Sequence, residues 1–395
     1  MNSGKVDYKQ LVTEYGSPCF FFDEEILVKR MSSIRSIVDK CISLCYAIKA
    51  NPFLISSMKP LVNRFEVCSP GELDICRSMS VDPETILLSG VNKTTEDITE
   101  ALVYGVRNFT AESILHAEIL ESCASKFDVN VSCLLRLSSG SQFGMSEADI
   151  RTLLSNRTAY PHISFEGIHY FVGTQRKRIQ QHVQELEMLK SLLTTLRHET
   201  GLPLRKLEYG PGLPVPLFCN EDFSDTLSPL KELAPSLKDT IDWADLTIEM
   251  GRFFVTECGS YITRVMDLKE ITGVNYAILD GGINHVNYYG SMMGMKTPVL
   301  EHLHSSDNSR ISSLKDWCLC GSLCTTSDFL VRDITLDSLE IGDYIIFHNI
   351  GAYSVTEGLY LFLSRMMPRI LLKKGENVLV LRDFYKTSVI NTAII

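Results

Sequence analysis

From about residue 20, the chain alternates short apolar runs with helix-length amphipathic stretches, and no other feature constrains its fold as strongly. This alternation is typical of a parallel sheet whose strands are joined by crossover helices. Eight runs are strand candidates: Ser43–Ile48, Arg64–Cys68, Thr85–Ser89, Asn108–Thr110, Val131–Leu137, Phe165–Val172, Lys206–Tyr209 and Asp245–Glu249. Eight successive strands of this kind predict a closed (β/α)8 barrel.

One crossover helix can be bounded from the sequence. Apolar residues recur every three or four positions from Ile179 to Leu196, which is the spacing of one helix face. Gly201 and Pro203 follow, and glycine then proline commonly ends a helix.

The pattern changes past about Ile262. Helical periodicity fades, and strand-like runs such as Tyr276–Leu279, Phe329–Val331 and Tyr344–His348 are separated by turns that contain Gly, Asn and Asp. The C-terminal part therefore predicts a second, mostly β domain, and 395 residues are enough for two domains.

Composition excludes several classes of partner. The net charge is −10 and no basic stretch interleaved with aromatic residues appears, so we expect no nucleic-acid partner. The start lacks an apolar signal core and no run approaches the ~20 residues of a membrane helix, so we expect a cytoplasmic protein without a membrane partner. Twelve scattered cysteines form no disulfide framework.

We also expect no metal site. Cys318, Cys320 and Cys324 cluster without a paired C-x-x-C or a nearby histidine. The pair His302 and His304 is interpreted as loop surface.

Lys49 is the first candidate for chemistry, because it follows a buried strand and precedes the turn at Asn51-Pro52. If its neighbours desolvate the ammonium, the pKa of Lys49 falls and a free amine becomes available for Schiff-base chemistry. The alternative is a lysine that extends from a strand end into water.

Two other strand ends carry candidate residues. Gly210-Pro211-Gly212 follows the seventh strand candidate and offers uncovered backbone N–H groups to an anion, although a plain turn has the same sequence. Pro211 removes one of those donors. Glu249 ends the eighth strand and Arg252 follows three residues later, where a guanidinium can bind a phosphate in bidentate fashion. A strand-end glutamate can equally be a solvated carboxylate.

Eight motifs in order resemble those of one enzyme family. They are "YAIKAN", "FEVCSPGEL", "ILLSGVNK", "GIHYFVGTQ", "YGPGL", "EMGR", "CGSLCTTSD" and "GAY". The chain is thus similar to the fold-type III pyridoxal-phosphate decarboxylases, the family of ornithine and diaminopimelate decarboxylases. The resemblance implies an alanine-racemase-like barrel over residues 20–262 and a β domain that combines residues 1–19 with residues 263–395.

The resemblance also implies pyridoxal 5'-phosphate as the cofactor. Lys49 then forms the Schiff base, and Glu249 faces the pyridine nitrogen and keeps it protonated. The other implied cofactor-binding residues are Glu66, Arg136, His169, Phe171, Thr174, Gly210, Gly212, Gly251, Arg252 and Tyr353. Phe171 stands where the family commonly has a second histidine, and its ring can stack but cannot titrate. His169, two residues earlier, is either a cofactor neighbour or a satisfied core histidine.

Cys324 matches the cysteine that, in the family, protonates the carbanion after decarboxylation and is supplied by the partner subunit. A thiol can deliver that proton and be recharged from solvent. The resemblance therefore implies a homodimer with shared active sites.

The match weakens at substrate recognition. Family enzymes follow this cysteine with Asp or Glu, which holds the distal ammonium of the substrate, whereas this chain has Thr325. Asn287 and Tyr288 stand about where diaminopimelate enzymes carry an arginine, and Phe362 and Leu363 replace an aromatic-Asn pattern. We therefore expect a decarboxylase whose amino-acid substrate is modified at its far end or tethered to a carrier protein, as in natural-product pathways.

Three alternatives stay open from the sequence. One is a decarboxylase of free diaminopimelate or a basic amino acid. Another is a non-catalytic homologue that binds a protein partner, against which the joint retention of Lys49, Glu249, Arg252, Cys324 and Tyr353 argues. The third is a racemase of the same barrel type, which in the family sets an arginine at the position of Glu249.

Overall fold

The computed structural model describes residues 6–288, 295–305 and 313–394. Its strands are β1 Cys19–Asp23, β2 Ser43–Ala47, β3 Arg64–Val67, β4 Ile86–Leu88, β5 Asn108–Ala111, β6 Val131–Arg136, β7 Ile163–Phe171, β8 Lys206–Gly210, β9 Asp245–Met250, β10 Gly259–Ile271, β11 Val274–Leu279, β12 Leu300–Leu303, β13 Leu314–Cys320, β14 Phe329–Asp337, β15 Tyr344–Phe347, β16 Arg369–Lys374 and β17 Asn377–Arg382. Its α-helices are α1 Tyr8–Tyr15, α2 Glu24–Ile37, α3 Ile55–Met58, α4 Pro70–Ser78, α5 Thr95–Tyr104, α6 Ile114–Phe127, α7 Glu147–Ser155, α8 Ile179–Thr200, α9 Ser228–Thr240, α10 Arg252–Val255, α11 Ser354–Glu357 and α12 Ser388–Asn391.

One compact unit, the barrel unit, comprises Arg30–Val215 and Asp225–Phe254. Strands β2 to β9 close into a barrel in chain order, and every neighbouring pair in it is parallel. The eight predicted strands and the predicted barrel are confirmed, with strand ends that differ by one or two residues.

Local sequence explains where the barrel helices begin and end. Thr94 accepts a hydrogen bond from the N–H of Asp97 and the Asp97 side chain accepts one from the N–H of Thr94, so a capping box starts α5. Helix α8 ends at Gly201, whose φ of 70° is a left-handed conformation that favours glycine. The predicted helix from Ile179 is therefore confirmed with its predicted stop.

The second compact unit, the sheet unit, combines the described parts of Met1–Lys29, Pro216–Ser224 and Val255–Ile395. Its main sheet has the order β14-β13-β11-β10-β1-β16-β17, and β15 pairs with both β10 and β12. The expected mostly β domain is confirmed. A buried core under this sheet is formed in part by Cys19, Phe21, Ile262, Ile346 and Leu371.

Strand β1 belongs to the sheet unit. Cys19–Asp23 pairs antiparallel with β10 and parallel with β16, and all five of its residues are buried. The sequence analysis began the barrel at residue 20, whereas the barrel unit begins at Arg30 and ends at Phe254.

Candidate active site

Lys49 lies in the short 3-10 turn Ile48–Ala50 that follows β2. In the parallel pairing of β2 with β3, Ala47 is the partner of Glu66. Lys49 and Cys68 each lie two residues beyond this pair, so the segments that follow the two strands bring them together. The Nζ of Lys49 donates to Oε2 of Glu66 at 2.8 Å and lies 3.4 Å from Sγ of Cys68.

The charge state of this pair differs from the sequence-based expectation. Burial acts to lower the pKa of Lys49, but the carboxylate of Glu66 outweighs it and raises that pKa well above its ordinary value. Burial acts to raise the pKa of Glu66, yet the Lys49 ammonium and the Cys68 thiol hold it at about 2. The expectation that desolvation frees the amine is wrong, because an acidic partner sits in contact with it.

Cys68 is a third member of this group that the sequence analysis did not single out. Burial and the negative charge of Glu66 raise the pKa of the Cys68 thiol far above its ordinary value. The protonated thiol donates to Oε1 of Glu66 at 2.8 Å. Both oxygens of Glu66 are thus engaged, one by Lys49 and one by Cys68. The spacing of Glu66 and Cys68, two residues apart along a strand, was a usable signal.

Glu249 lies near the end of β9, where its side chain is buried. Its Oε2 lies 2.9 Å from Nε2 of His169, which is almost fully buried on β7. The Nδ1 of His169 has no hydrogen-bond partner among the described residues. The pair therefore joins β7 and β9, the two strands that flank β8.

Strand register brings further polar groups beside His169. Arg136 on β6 and Glu208 on β8 are its partners in the two neighbouring strands. Arg136 pairs with Glu112 at 2.5 Å between Nη1 and Oε1, and its guanidinium lies over the ring of Phe143. Arg136 is thus held by a carboxylate of its own.

The glycines after β8 are required by close contacts. A Cβ on Gly210 would lie 2.5 Å from the ring of Phe171, and a Cβ on Gly212 would lie 1.7 Å from the carbonyl oxygen of Gly173. Gly212 also has a φ of 58°. The last residue of β8 therefore packs on Phe171, the last residue of β7, and the loop after β8 packs on the loop after β7, which carries Thr174.

Two side chains that the sequence analysis did not identify brace these loops. The Nε2 of His182 lies 2.8 Å from the carbonyl oxygen of Pro211. Gln175 accepts from the N–H of Val215 and donates to its carbonyl, both at 2.9 Å. The N–H of Arg176 donates to the carbonyl of Gly212. Backbone contacts across two loops leave no residue pattern by which sequence alone would find them.

Gly251 and Arg252 follow β9 directly. Arg252 opens α10 and its side chain is buried. The structure therefore brings Lys49, Glu249, the glycine loop and Arg252 to the carboxyl ends of successive barrel strands, the face where barrel enzymes place their active sites.

Lys93 is a buried lysine of the barrel unit. Its Nζ donates to the carbonyl of Gly90 at 2.6 Å and to Oγ1 of Thr110 at 3.2 Å. Burial lowers the pKa of Lys93 to about 8, although the negative charge of Glu112 opposes the shift. Lys93 is therefore a possible competitor of Lys49 as a reactive amine.

Cys324 lies in the sheet unit, in the loop between β13 and β14. Its side chain is exposed. Asp328 shapes the loop by accepting from the N–H groups of Ile283 at 2.8 Å and Leu323 at 2.7 Å. A Cβ on Gly321 would lie 2.3 Å from that carboxylate. The sequence thus builds an ordered turn that presents the thiol.

The predicted substrate residues also lie in the sheet unit. Thr325 exchanges a hydrogen bond with Ser327 at 2.9 Å between hydroxyl oxygens. Asn287 donates to Glu357 at 3.1 Å. Tyr288 is buried and its hydroxyl donates to the carbonyl of His348 at 2.6 Å, which gives it a packing role inside this unit. Tyr353 has a φ of 69° and precedes α11.

A family model described as "Pyridoxal-dependent decarboxylase, pyridoxal binding domain" matches residues 24–256, more than half of the chain. The chain belongs to the pyridoxal-dependent decarboxylases. The expected cofactor, pyridoxal phosphate, and the expected activity of an amino-acid carboxy-lyase are confirmed by this membership.

Full-length relatives of this decarboxylase carry informative names. It is 24% identical to "L-glutamyl-[BtrI acyl-carrier protein] decarboxylase" of Niallia circulans over 97% of this chain and 94% of that one. It is 26% identical to "2-[(L-alanin-3-ylcarbamoyl)methyl]-2-hydroxybutanedioate decarboxylase" of Staphylococcus aureus over 89% and 93% of the two chains. A crystal structure of diaminopimelate decarboxylase from M. jannaschii with L-lysine shares the fold, with a TM-score of 0.84, 21% identity and 97% and 93% coverage.

The residues of the barrel unit fit the cofactor of this decarboxylase family. An amine, a buried carboxylate and a loop that only glycine can form lie at neighbouring strand ends. Among the described residues, no helix combines the length and apolar character needed to cross a membrane.

Proposed function

We propose that this decarboxylase removes the α-carboxylate of an amino acid whose far end is neutral, modified or joined to a carrier protein. The observation that carries the proposal is the loop of residues 321–328, which presents an exposed thiol followed by the uncharged Thr325. In the diaminopimelate and ornithine enzymes that this sequence resembles, an acid at that position holds a distal ammonium.

The barrel unit supplies the cofactor-holding groups of this proposal. Lys49 would offer the amine, Gly210, Gly212, Thr174 and Arg252 would hold the phosphate, and Glu249 would face the ring nitrogen. The family resemblance adds Tyr353, which belongs to the sheet unit, to the phosphate-holding residues. Phe171 supports the ring face. When bound, pyridoxal phosphate supplies an electron sink for the electron pair that is released as CO2 leaves.

Glu66 governs the proton of Lys49. Because its two oxygens accept from the ammonium and from the Cys68 thiol, Glu66 stays ionised and holds the proton at Nζ until the amine is needed. Once Nζ gives up that proton, Oε2 of Glu66 is the adjacent acceptor and the carboxyl group becomes neutral, while the Cys68 thiol still donates to Oε1. Lys49 and Glu66 thus act as an amine and its proton partner.

His169 fixes the carboxylate of Glu249 through the 2.9 Å contact to Oε2. A carboxylate held in this way keeps its charge directed at one point, which is what stabilisation of a protonated ring nitrogen requires. Glu249 also argues against a racemase, because racemases of this barrel type have an arginine at its position.

Cys324 donates the proton that replaces CO2 in this proposal. The exposed thiol can be recharged from solvent after each turnover. Following the family resemblance, the thiol comes from a second subunit, so the working enzyme is a homodimer with two shared sites. Size-exclusion chromatography with light scattering tests this directly, and a fully active monomer would contradict it.

The names of two relatives support the substrate class. One names a glutamyl group on an acyl-carrier protein, and the other names an alanyl unit joined through a carbamoyl group to a hydroxybutanedioate. Each name describes an amino acid that is no longer free at one end. A relative named for free diaminopimelate is 23% identical over 95% of this chain, so free diamino acids belong in the test.

The test is a substrate panel scored by evolved CO2. Free ornithine, lysine and diaminopimelate are compared with amide-linked and carrier-linked amino acids, and Lys49→Ala protein serves as the blank. We expect kcat/KM to be highest for a conjugated substrate. Efficient turnover of a free diamino acid would overturn the proposal.

A variant sharpens this test. Thr325→Asp places an acid after Cys324, so it should raise kcat/KM for free diamines relative to conjugated substrates. The expected increase is roughly tenfold, which corresponds to about 1.4 kcal/mol of added ion pairing. Thr326→Asp adds the same charge one residue away and is the matched control. Equal effects of the two variants would remove position 325 from substrate recognition.

A further inference from the structure

The histidine pair assigned to loop surface from the sequence occupies a different environment in the sheet unit. His302 lies on β12, and only 8% of its side-chain surface is exposed. Its Nε2 is 2.9 Å from Oδ2 of Asp343, whose side chain is fully buried. The interpretation of His302 as loop surface is wrong, because the residue lies in β12, which pairs with β15, and its side chain is almost fully buried.

Strand register explains why these three residues meet. In the antiparallel pairing of β12 with β15, His302 is opposite Ile345 and Leu303 is opposite Tyr344. One further step along the same register puts His304 opposite Asp343. Because side chains two residues apart point to the same face of a strand, His302, His304 and Asp343 share one face.

From this geometry we propose that His302, His304 and Asp343 bind a divalent transition-metal ion of the zinc type. One nitrogen of each histidine and one oxygen of Asp343 lie within 4.8 Å of one another. The Nδ1 of His304 is 3.4 Å from Oδ2 of Asp343. Tetrahedral zinc with bonds of about 2.0–2.1 Å places its ligand atoms about 3.3 Å apart, so these spacings suit a shared ion.

Several hydrogen bonds hold the carboxylate of Asp343 in a fixed orientation. Oδ1 accepts from the N–H and hydroxyl of Ser305. Oδ2 accepts from the N–H of Glu340 at 3.0 Å and from His302. A metal ion takes the place of the proton between His302 and Oδ2, while the three contacts with Ser305 and Glu340 keep the carboxylate in place. Asp343 is therefore preorganised as a ligand.

Asp337 provides a second partner of the kind found around metal ligands. Its Oδ2 is 3.8 Å from Nε2 of His304, on the opposite side of the ring from Asp343. A carboxylate behind a ligating histidine orients the ring and increases its basicity. About a third of the His304 side chain is exposed, so an ion can enter from this side and keep a water molecule as a further ligand.

The ligand set indicates which ions bind. Two imidazoles and one carboxylate suit zinc and its neighbours in the first transition series, whereas magnesium prefers an all-oxygen set.

The test is zinc binding by the holoenzyme, measured by equilibrium dialysis and isothermal titration calorimetry after treatment with a chelator. Wild-type protein should bind a zinc ion at this site and gain thermal stability with added zinc but not with added magnesium. His304→Ala should lose this binding and leave CO2 release unchanged. Asp337→Asn should weaken it roughly 10- to 100-fold.

Two controls keep the result specific. His198→Ala removes an exposed histidine from α8 and should bind zinc as the wild type does. Cys320→Ser tests whether zinc binds to thiols instead, because the sulfur atoms of Cys318 and Cys320 lie 3.8 Å apart. His304→Gln, with folding checked by circular dichroism, replaces His304→Ala if that protein is unstable. Unchanged binding in the His304 variants, or loss of all binding in Cys320→Ser, would overturn the proposal.

Discussion

The strand ends of the barrel unit and the 321–328 loop of the sheet unit differ in how their polar groups are held. At the strand ends, Lys49, Glu66 and Cys68 form one connected group, and Glu249 is fixed by His169. In the loop, Cys324 is exposed, and the hydrogen bonds of Thr325 within the described part of the chain go to its near neighbours Ser327 and Asp328. The comparison indicates that the side chains proposed to hold the cofactor are fixed in pairs, whereas the side chain proposed to contact the substrate is bonded only locally among the described residues.

The largest effect is expected at the amine. Lys49→Ala should lower kcat by at least about 10³-fold, because removal of a covalently acting group abolishes its pathway. Visible absorbance of bound cofactor and CO2 release should be lost together. Lys126→Ala, on an exposed face of α6, is the matched control. Substantial activity in the Lys49 variant would show that Lys49 is not the amine that binds the cofactor.

Glu249→Gln should have the next largest effect. Loss of the carboxylate removes stabilisation that matters as charge develops, so kcat should fall by about 10²- to 10³-fold while the cofactor still binds. Glu208→Gln removes a buried carboxylate from the neighbouring strand β8 without touching the His169 contact. Equal losses of kcat in both variants would show that Glu249 has no special role.

Cys324→Ala should slow protonation of the product by about 10²-fold or more and leave cofactor absorbance intact. Cys320→Ala, in the same strand and loop region, controls for loss of a thiol. Single-turnover kinetics separate the protonation step from CO2 release. Kinetics identical to those of the wild type would remove Cys324 from the mechanism and leave the catalytic groups in the barrel unit alone.

The Lys49–Glu66 pair predicts how stability depends on pH. Since the pKa of Glu66 is lowered from 4.5 to about 2, its ionisation stabilises the fold above pH 4.5, and this contribution is lost as the pH falls through about 2. The difference corresponds to on the order of 3 kcal/mol. Since the pKa of Lys49 is raised, its contribution is present below pH 10.5 and is lost as the pH rises through its folded value.

Urea denaturation of cofactor-free protein between about pH 2 and pH 8 measures this effect, because the folded-state pKa of Glu66 is about 2. Wild type should lose stability toward acid more steeply than Glu66→Gln, and the two curves should converge at the acid end. Glu72→Gln, on the adjacent helix α4, is the control for a carboxylate without the lysine contact. Parallel curves for wild type and Glu66→Gln would mean that the pair does not stabilise the fold.

Sequence reasoning located the barrel well because its strands are buried apolar runs, as in Ile86–Leu88 and Val131–Arg136. It placed Lys49 and Glu249 at strand ends, and the structure has both residues there, at the face where the carboxyl ends of the barrel strands converge. It missed Cys68, although that residue lies two positions after Glu66 on the same face. It could not find the Gln175 and His182 braces, or the meeting of His302 with Asp343, because those contacts join residues about 30 to 41 positions apart through backbone geometry.

Strand β1 shows a different reason why the boundary between the two units could not be predicted from the sequence. Cys19–Asp23 is an apolar run that would suit either unit, and only pairing with β10 and β16 decides which sheet it joins. The identity of the pairing strand is a long-range property that local periodicity does not contain.

The most direct test of the central claim is to locate the lysine that carries the cofactor. Holoenzyme is reduced with borohydride, digested, and its labelled peptide is identified by mass spectrometry. The account predicts a pyridoxyl group on Lys49, with no label in Lys49→Ala protein. Label on Lys93, a buried lysine whose pKa is lowered to about 8, or on no lysine at all, would contradict it.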